Sequence, residues 1–265
     1  MKTEVASSVT TEVDVPPWRR VFNLGELPPT TLALGRDEIH VWRASLNLDA
    51  VRTRHLTNTL SPDERVRADH FHSQTDRDRF IAAHGLLRTI LSRCLGIAPA
   101  RLRFSKDTHG KPRLAETSDT LALRFNMSHS HGVALVAVAE GREVGVDIER
   151  RRPDVDILEI ARRFFSPDEF HTLRSLPDAA RKQMFFQAWV RKEAFLKAIG
   201  KGLSGGLNQP DAAFMSERPW NVIAAQSGDE LVDWTLRDLS AGSEYAAALA
   251  VEGVGWKLHL WSDQS

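Results

Sequence analysis

The chain has 265 residues, of which 42% are hydrophobic and 26% are charged, a composition typical of a globular protein with a buried core. Its 35 Lys and Arg residues balance 35 Asp and Glu residues, and a formal net charge of zero argues against nucleic-acid binding by bulk electrostatics. An anionic ligand must therefore be held by a local cluster of side chains. The single cysteine, Cys94, excludes an intramolecular disulfide, and its apolar helical surroundings predict a place in the core.

The beginning of the chain carries acidic residues and has no apolar central region, so it does not have the form of a secretory signal. Nowhere does the sequence approach the roughly 18 consecutive apolar residues of a membrane span. We therefore expect a cytoplasmic protein that does not enter a membrane.

In chain order, residues 1–36 are rich in Thr, Ser, Val and Pro and predict a flexible tail or an extended arm. A strand is expected at 39–44, and Ser61, Pro62 and Glu64 have the pattern of a helix start. A longer helix at 75–95 is expected to end at Gly96. The elements that follow are strands at 121–127, 133–139 and 143–149, helices at 156–165, 167–176 and 179–199, and strands at 232–239, 244–251 and 256–261.

Helices followed by strands thus occur twice along the chain, with the change near residues 141–149. This order predicts an α+β fold made of two halves of similar size, at 37–143 and 144–265. A functional site is expected at the junction of the halves.

Two carboxylates lie in the predicted strand that crosses this junction. Side chains on a strand alternate between its faces, so Asp147 and Glu149 share one face while Val146 and Ile148 occupy the other. Carboxylates about 7 Å apart repel each other unless water or a cation lies between them. The plainer interpretation is a solvent-facing acidic strand end that the arginines at 150–152 neutralise.

A third acid strengthens the case for a cation site. Trp189, Glu193 and Lys197 are spaced at i, i+4 and i+8 and share one helix face. Glu193 and Lys197 could form an ordinary exposed ion pair, but the aromatic residues at 185, 186 and 189 favour a partly buried face. A partly buried carboxylate needs a partner.

Magnesium takes oxygen ligands and commonly combines one or two carboxylates with substrate phosphates. Asp147, Glu149 and Glu193 are therefore candidate ligands of Mg²⁺, or of Mn²⁺ in its place, in a site that also holds a pyrophosphate. Zinc fits poorly because the sequence has no cysteine cluster and no histidine pair with the usual spacing.

Two polar segments are candidates for phosphate contacts. Lys111 lies in a Gly-Lys-Pro turn, where a solvated loop lysine is the commoner interpretation. Residues 125–130 end a strand with hydrogen-bonding side chains, which could coordinate phosphate oxygens or satisfy the local turn. A Ser–His hydrolase is disfavoured because Ser128 and His129 would face opposite ways and the sequence has no Gly-x-Ser-x-Gly elbow.

In this order, the segments resemble the motifs of the phosphopantetheinyl transferases. The matching stretches are G-K-P at 110–112, N-M-S-H-S at 126–130, G-V-D-I-E at 145–149 and W-x-x-K-E-A-x-x-K-x-x-G-x-G at 189–202. The length resembles that of the Sfp-type branch, in which one chain contains two similar α+β halves in a pseudo-twofold arrangement. Arg163-Phe164-Phe165-Ser166, which precedes Glu169, also looks like that branch.

The resemblance implies transfer of the 4′-phosphopantetheine arm of coenzyme A to a serine of an apo acyl or peptidyl carrier protein, with release of adenosine 3′,5′-bisphosphate. Asp147, Glu149 and Glu193 would bind Mg²⁺, with Glu193 also the candidate general base and Lys197 stabilising the leaving pyrophosphate. Contacts with coenzyme A are implied for Arg65, Lys111, Pro112, Ser128, His129, Lys192 and Lys197. One departure is His84, where many relatives have arginine.

We expect a monomer that serves nonribosomal peptide or polyketide synthesis, with a holo-acyl-carrier-protein synthase role in fatty acid synthesis as an alternative. A second alternative is a catalytically silent module of the same fold that binds coenzyme A or a carrier protein, which the three intact acids disfavour. A different magnesium-dependent phosphotransferase is disfavoured because the sequence has no P-loop or kinase signature.

Overall fold

The computed structural model describes residues 19–22, 32–115, 123–200, 214–216, 218, 220–227 and 230–263. The helices are α1 (Ala50–Thr57), α2 (Pro62–Asp69), α3 (Gln74–Leu95), α4 (Ile157–Phe164), α5 (Pro167–Ser175) and α6 (Asp178–Ile199). The strands are β1 (Arg19–Phe22), β2 (Glu38–Ser45), β3 (Phe104–Lys106), β4 (Pro112–Leu114), β5 (Leu123–Ser130), β6 (Val133–Glu140), β7 (Val144–Arg150), β8 (Trp220–Ser227), β9 (Glu230–Asp238), β10 (Tyr245–Glu252) and β11 (Lys257–Asp263).

Two sheets organise the fold. The first has five strands in the order β1-β11-β2-β6-β5, and the second has four antiparallel strands in the order β7-β10-β9-β8. In the first sheet, β11 runs parallel to β1 and β2, while the pairs β2–β6 and β6–β5 are antiparallel. β3 and β4 form a separate hairpin.

The two sheets pack face to face, with helices on the outer side of each. Apolar side chains of β2, β6 and β11 meet those of β7 and β10 in a core between the sheets. α3 packs on the outer face of the first sheet and forms a second core with it. α6 packs on the outer face of the second sheet and forms a third core. The α+β architecture with two halves is therefore confirmed.

Local sequence explains where the helices begin and end. Ser61 and Ser166 each form a capping box with a glutamate three residues on, and proline follows each serine. Gly96 and Gly200 end α3 and α6 with positive φ angles of 67° and 73°. The predicted helix start at Ser61 and the predicted end at Gly96 are confirmed.

One stretch of the predicted tail or extended arm at 1–36 is a strand in the structure. Residues 19–22 form β1, which pairs with β11 over a short parallel register, so this part of the tail is a strand; residues 1–18 and 23–31 lie outside the described part of the chain. A strand this short is hard to recognise from sequence because it has too few residues to show a periodic pattern.

The division of the chain into halves after residue 143 stays a prediction. The last strand comes after this division in sequence but does not join the sheet of the second half. β11 was assigned to the second half, but it lies in the first sheet between β1 and β2. Its alternating apolar residues Leu258 and Leu260 face the core between the sheets, which both halves share. α1 and β8 were not predicted at all.

Cys94 is buried in α3, as predicted, and burial raises the pKa of its thiol to about 12. Within the described ranges, none of the helices has the length and apolar character needed to cross a membrane.

Candidate active site

Asp147 and Glu149 lie on the face of β7 that looks toward α6. Val144, Val146 and Ile148 take the opposite face and are buried between the sheets. The strand alternation therefore holds as predicted, and the plainer interpretation of a solvent-facing acidic strand end is wrong, since only 4% of Asp147 is exposed.

α6 brings Glu193 and Lys197 to the same place. The ammonium of Lys197 forms an ion pair with Asp147 and donates a hydrogen bond to Ser128 Oγ at 2.9 Å. Gly145 lets α6 approach this closely, because a Cβ at that position would overlap the carbonyl oxygen of Ala194 and the amide nitrogen of Ala198. The sequence did not single out this role of Gly145.

β5 supplies the other side of the cluster. Ser128 Oγ donates a hydrogen bond to Asp147 Oδ1 at 2.7 Å, and Ser130 Oγ donates one to Glu149 Oε2 at 3.0 Å. Since β5 belongs to the first sheet while β7 and α6 belong to the second half, the polar cluster lies at the junction of the halves, where the sequence placed it.

The electrostatics of the three acids show that they share a confined space. Burial raises the pKa of Glu193 to about 7, and the charges of Asp147 and Glu149 add to the effect while Lys197 opposes it. Burial followed by the charge of Asp147 also raises the pKa of Glu149. The positive charge of Lys197 thus offsets the negative charge of the three acids only in part.

The donor set fits a hard divalent cation. Asp147 Oδ2 and Glu193 Oε1 are buried and have no hydrogen-bond partner among the described residues. Buried carboxylate oxygens without partners are costly, and a cation with a preference for oxygen ligands would satisfy them. Asp147, Glu149 and Glu193 are the residues that would hold it.

His129 lies beside this cluster on β5. Its ring keeps contact with solvent, yet partial desolvation lowers its pKa, and the positive charges of Lys197 and then His84 lower it further. His84 in turn contacts Glu64 Oε1 at 3.3 Å. Arg65 is exposed on α2 and donates to the carbonyl of Asn58, so no described contact joins it to the carboxylates.

Lys111 does not offer a free ammonium to a ligand, and its sequence-based role as a coenzyme A contact is not supported. Only 8% of the residue is exposed, and Nζ contacts Glu143 Oε2 at 2.8 Å, Ala198 O at 2.8 Å and Val144 O at 3.2 Å. Burial lowers the pKa of Lys111 and Glu143 raises it. Lys111 therefore joins the start of β7 to the end of α6, while Pro112 is exposed on β4.

Lys192 points into the second half and away from the carboxylate cluster. It is 1% exposed, pairs with Glu169 Oε2 at 2.8 Å and lies over the rings of Phe165 and Phe214. A buried lysine with these partners stabilises the contact of α5 with α6. The contact with coenzyme A that the resemblance implies for Lys192 is therefore not supported by the structure. Arg88 is likewise buried, against Glu64.

A second group of potential metal ligands comprises Glu38, His40 and His259. Desolvation lowers the pKa of His40, so its ring is neutral near pH 7. Trp261 Nε1 donates to His40 Nδ1 at 3.0 Å, which places the single ring proton on Nε2, directed at Glu38 Oε2. His40 cannot then offer Nε2 to a metal, and the group is a hydrogen-bonded contact between β2 and β11.

The chain is similar to known proteins over the stretches that carry the carboxylate cluster. Residues 143–250 match the model of the 4′-phosphopantetheinyl transferase superfamily, and residues 48–141 match the 4′-phosphopantetheinyl transferase N-terminal model. The 4′-phosphopantetheinyl transferase HetI of Nostoc sp. is 39% identical over 233 residues, which are 88% of this chain and 95% of that protein. The chain belongs to the 4′-phosphopantetheinyl transferase family. Its activity is the transfer of the phosphopantetheine group of coenzyme A to a carrier protein.

Two other relatives, with lower sequence identity, match a smaller share of the transferase. The 4′-phosphopantetheinyl transferase Sfp of Bacillus subtilis is 34% identical over 145 residues, 55% of this chain and 62% of that protein. A phosphopantetheinyl transferase of Thraustochytrium sp. is 32% identical over 217 residues, 77% of this chain and 74% of that protein.

The sequence grouped four of the residues that meet in the transferase, Asp147, Glu149, Glu193 and Lys197, and indicated the fifth, Ser128, as a contact of coenzyme A. It missed Ser130 as a partner of Glu149. The available signal was strand alternation, which puts residues 126, 128 and 130 of β5 on one face.

Proposed function

We propose that Asp147, Glu149 and Glu193 bind Mg²⁺, or Mn²⁺ in its place, during transfer of the phosphopantetheine arm to a carrier serine. The observation that supports this most is the convergence of three acids from β7 and α6, two of which have a buried oxygen without a partner in the described part of the chain. The bound cation would neutralise the pyrophosphate of coenzyme A as charge develops on the leaving group.

The remaining roles follow from position. Lys197 lies between Asp147 and Ser128, so its ammonium is placed to meet the pyrophosphate beside the cation. Glu193 has a pKa near neutrality in the absence of a cation and is the candidate acceptor of the serine proton, directly or through water. His129, Ser128 and the exposed Pro112 are the remaining candidates for contacts with the nucleotide, and Arg65 is a candidate on the exposed face of α2.

The carrier is proposed to be an acyl or peptidyl carrier protein of nonribosomal peptide or polyketide synthesis, on the resemblance of the chain to the Sfp-type branch, with a fatty acid carrier as the alternative. One chain supplies all three acids and Lys197, so we infer a monomer. We also infer a cytoplasmic enzyme that requires neither nucleic acid nor a membrane.

Intact-protein mass spectrometry tests the proposal. An apo carrier protein is incubated with coenzyme A, Mg²⁺ and the transferase, and a mass gain of one phosphopantetheinyl group is expected. Binding of coenzyme A without any gain on acyl or peptidyl carriers would favour the silent binding module. Comparing kcat/KM for a peptidyl carrier and for a fatty acid carrier then separates the two carrier classes.

The metal assignment is tested by Asp147→Asn, which keeps the shape of the side chain and removes its charge. We expect transfer to fall by more than the roughly 10- to 100-fold that loss of a hydrogen-bond partner of a metal ligand costs. Asp154→Asn, at an exposed aspartate seven residues further along the chain, is the matched control and should keep full activity. Full activity in Asp147→Asn, with an unchanged circular dichroism spectrum, would contradict the assignment.

A further inference from the structure

β5 contacts β7 through three side chains that follow each other at every second residue. Asn126 Oδ1 accepts a hydrogen bond from the amide of Val146 at 3.0 Å, and Ser130 Oγ accepts one from the amide of Arg150 at 3.1 Å. Ser128, between them, donates to Asp147. All three side chains are about 7% exposed, so these bonds form away from bulk water.

Ser130 is the member of this row that contacts both the backbone and a carboxylate of β7. Its single hydroxyl proton goes to Glu149 Oε2 at 3.0 Å, because an ionised carboxylate can only accept. Its oxygen accepts from the amide of Arg150, and Nδ1 of His131 also lies within 3.3 Å. The hydroxyl is therefore held in position by the backbone that carries Glu149.

Such an arrangement fixes one oxygen of Glu149 and leaves the other to a ligand. A glutamate side chain has several rotatable bonds, and ordering it for metal binding costs conformational entropy. Hydrogen bonds from neighbouring groups to ligating carboxylates reduce this cost, and their loss typically weakens metal binding by about 10- to 100-fold.

We propose that Ser130 is a positioning residue of the transferase, which orients Glu149 for the divalent cation. The inference rests on the proposed metal site at Asp147, Glu149 and Glu193. Ser130 acts through Glu149 and does not itself touch the cation or either substrate. The N-M-S-H-S segment, read from sequence as a phosphate-contacting stretch, then has a second role in ordering the acids of the other half.

The test measures Mn²⁺ binding to the free protein by titration calorimetry, together with the metal dependence of transfer. For Ser130→Ala, we expect the dissociation constant for Mn²⁺ and the metal concentration at half-maximal rate both to rise by about 10- to 100-fold. At saturating metal, kcat and the KM for coenzyme A should stay within about threefold of those of the unchanged protein. Ser130→Thr keeps the hydroxyl and should restore Mn²⁺ binding.

Asn126→Ala is the matched control, because Asn126 contacts the backbone of β7 but none of its carboxylates. It should lower the urea midpoint without changing the Mn²⁺ dissociation constant. An equal loss of Mn²⁺ binding in Asn126→Ala would show that the junction as a whole, and not the bond to Glu149, sets the affinity, and would overturn the proposal. Unchanged Mn²⁺ binding in Ser130→Ala would overturn it as well.

Glu149→Gln separates this inference from the proposed metal site. If Glu149 is a ligand, Glu149→Gln weakens Mn²⁺ binding, and adding Ser130→Ala to it produces no further loss because the partner is already changed. Should Glu149→Gln leave Mn²⁺ binding intact, the metal site itself is wrong. If Ser130→Ala does not fold, Ser130→Cys in the same cycle provides the comparison, because it keeps the size of the side chain but is only a weak donor; an additive loss there contradicts the role of Ser130.

Discussion

Glu193 is a candidate metal ligand and also a carboxylate whose pKa is raised to about 7. Burial and the neighbouring charges of Asp147 and Glu149 raise its pKa from 4.5 to about 7. A cation at this site would compete with the proton for the same oxygens. The state of Glu193 therefore depends on both pH and metal concentration.

This coupling predicts how the stability of the metal-free protein depends on pH. The folded state binds the Glu193 proton more tightly than the unfolded chain, so the free energy of unfolding falls as pH rises from about 4.5 to about 7. Glu149 acts in the same direction. Thermal unfolding is measured as a function of pH for the unchanged protein and for Glu193→Gln, both without metal. We expect Tm to decline more steeply with rising pH in the unchanged protein.

Magnesium should reverse part of that loss, and more at pH 8 than at pH 6, because at pH 8 no proton has to leave Glu193. The comparison with Glu193→Gln separates the contribution of this carboxylate from those of His129 and His40. The pKa values of both histidines are lowered, so below pH 6.5 their contributions to the free energy of unfolding increase as pH rises. Parallel Tm curves for the two proteins would contradict the assignment of the raised pKa to Glu193.

At this scale, the sequence allowed the acids to be predicted because backbone geometry alone aligns them. Strand alternation places Asp147 with Glu149, and helical spacing places Glu193 with Lys197. The same geometry argues against Lys192 as a ligand contact, since a rotation of about 100° per residue turns it away from Glu193. Lys111 could not be predicted, because its partners at 143, 144 and 198 are distant in the chain.

At the scale of elements, the contact of α6 with β7 sets the distances between the acids. Gly145 allows the helix backbone to lie directly on the strand, and the alanines of β10 continue this close approach on the neighbouring strand. Lys111 then joins the two elements at one end, where it donates to the Ala198 carbonyl in the last turn of α6.

Gly145→Ala should therefore displace α6 from β7. A Cβ would overlap backbone atoms that cannot rotate away, so we expect a loss at the upper end of about 1–3 kcal/mol in the free energy of unfolding, with a large loss of transfer. Urea denaturation measures the first effect. Gly96→Ala, where a Cβ meets nothing within 4 Å but φ is positive, should cost only about 1–2 kcal/mol and keep activity.

Lys111→Met distinguishes a lysine that joins two elements from one that binds the nucleotide. Because Lys111 links β7 to α6, we expect transfer to fall by a similar factor with coenzyme A and with 3′-dephospho-coenzyme A. The exposed Lys106, changed to Met, is the control and should have little effect. A loss seen with coenzyme A but absent with the dephospho compound would instead show contact with the 3′-phosphate.

The long helices were predicted within a residue or two because each of them ends at a glycine with a positive φ angle, Gly96 after α3 and Gly200 after α6. α1 was missed because its apolar residues do not form a regular stripe, and in the structure only Leu56 is buried. β8 was missed for a related reason, since Val222 on this edge strand is exposed and the apolar alternation is interrupted.

At the scale of the molecule, β11 holds the end of the chain in the first sheet. It lies between β1 and β2, and Trp261 donates to His40 across that pairing. Leu258 and Leu260 contribute to the core between the sheets. The sequence could show that a strand occurs here but not which sheet it joins, because pairing partners are chosen by the tertiary fold.

A chain that ends at Trp256 should therefore fail to fold, even though every proposed metal ligand is retained. The loss exposes β2 as an edge and removes two buried leucines, each worth about 2 kcal/mol or more of burial free energy. Circular dichroism and the yield of soluble protein measure the effect. Normal cooperative unfolding of this shorter chain would contradict the role assigned to β11.

The row of polar side chains from β5 has one more consequence, which concerns solubility. β7 is the edge of its sheet, and edge strands with free amides recruit strands from other molecules and aggregate. Asn126 and Ser130 accept hydrogen bonds from the amides of Val146 and Arg150, so these two edge amides are paired without another strand. The segment that orders the active-site acids thus also leaves fewer free amides on β7 for intermolecular β-pairing.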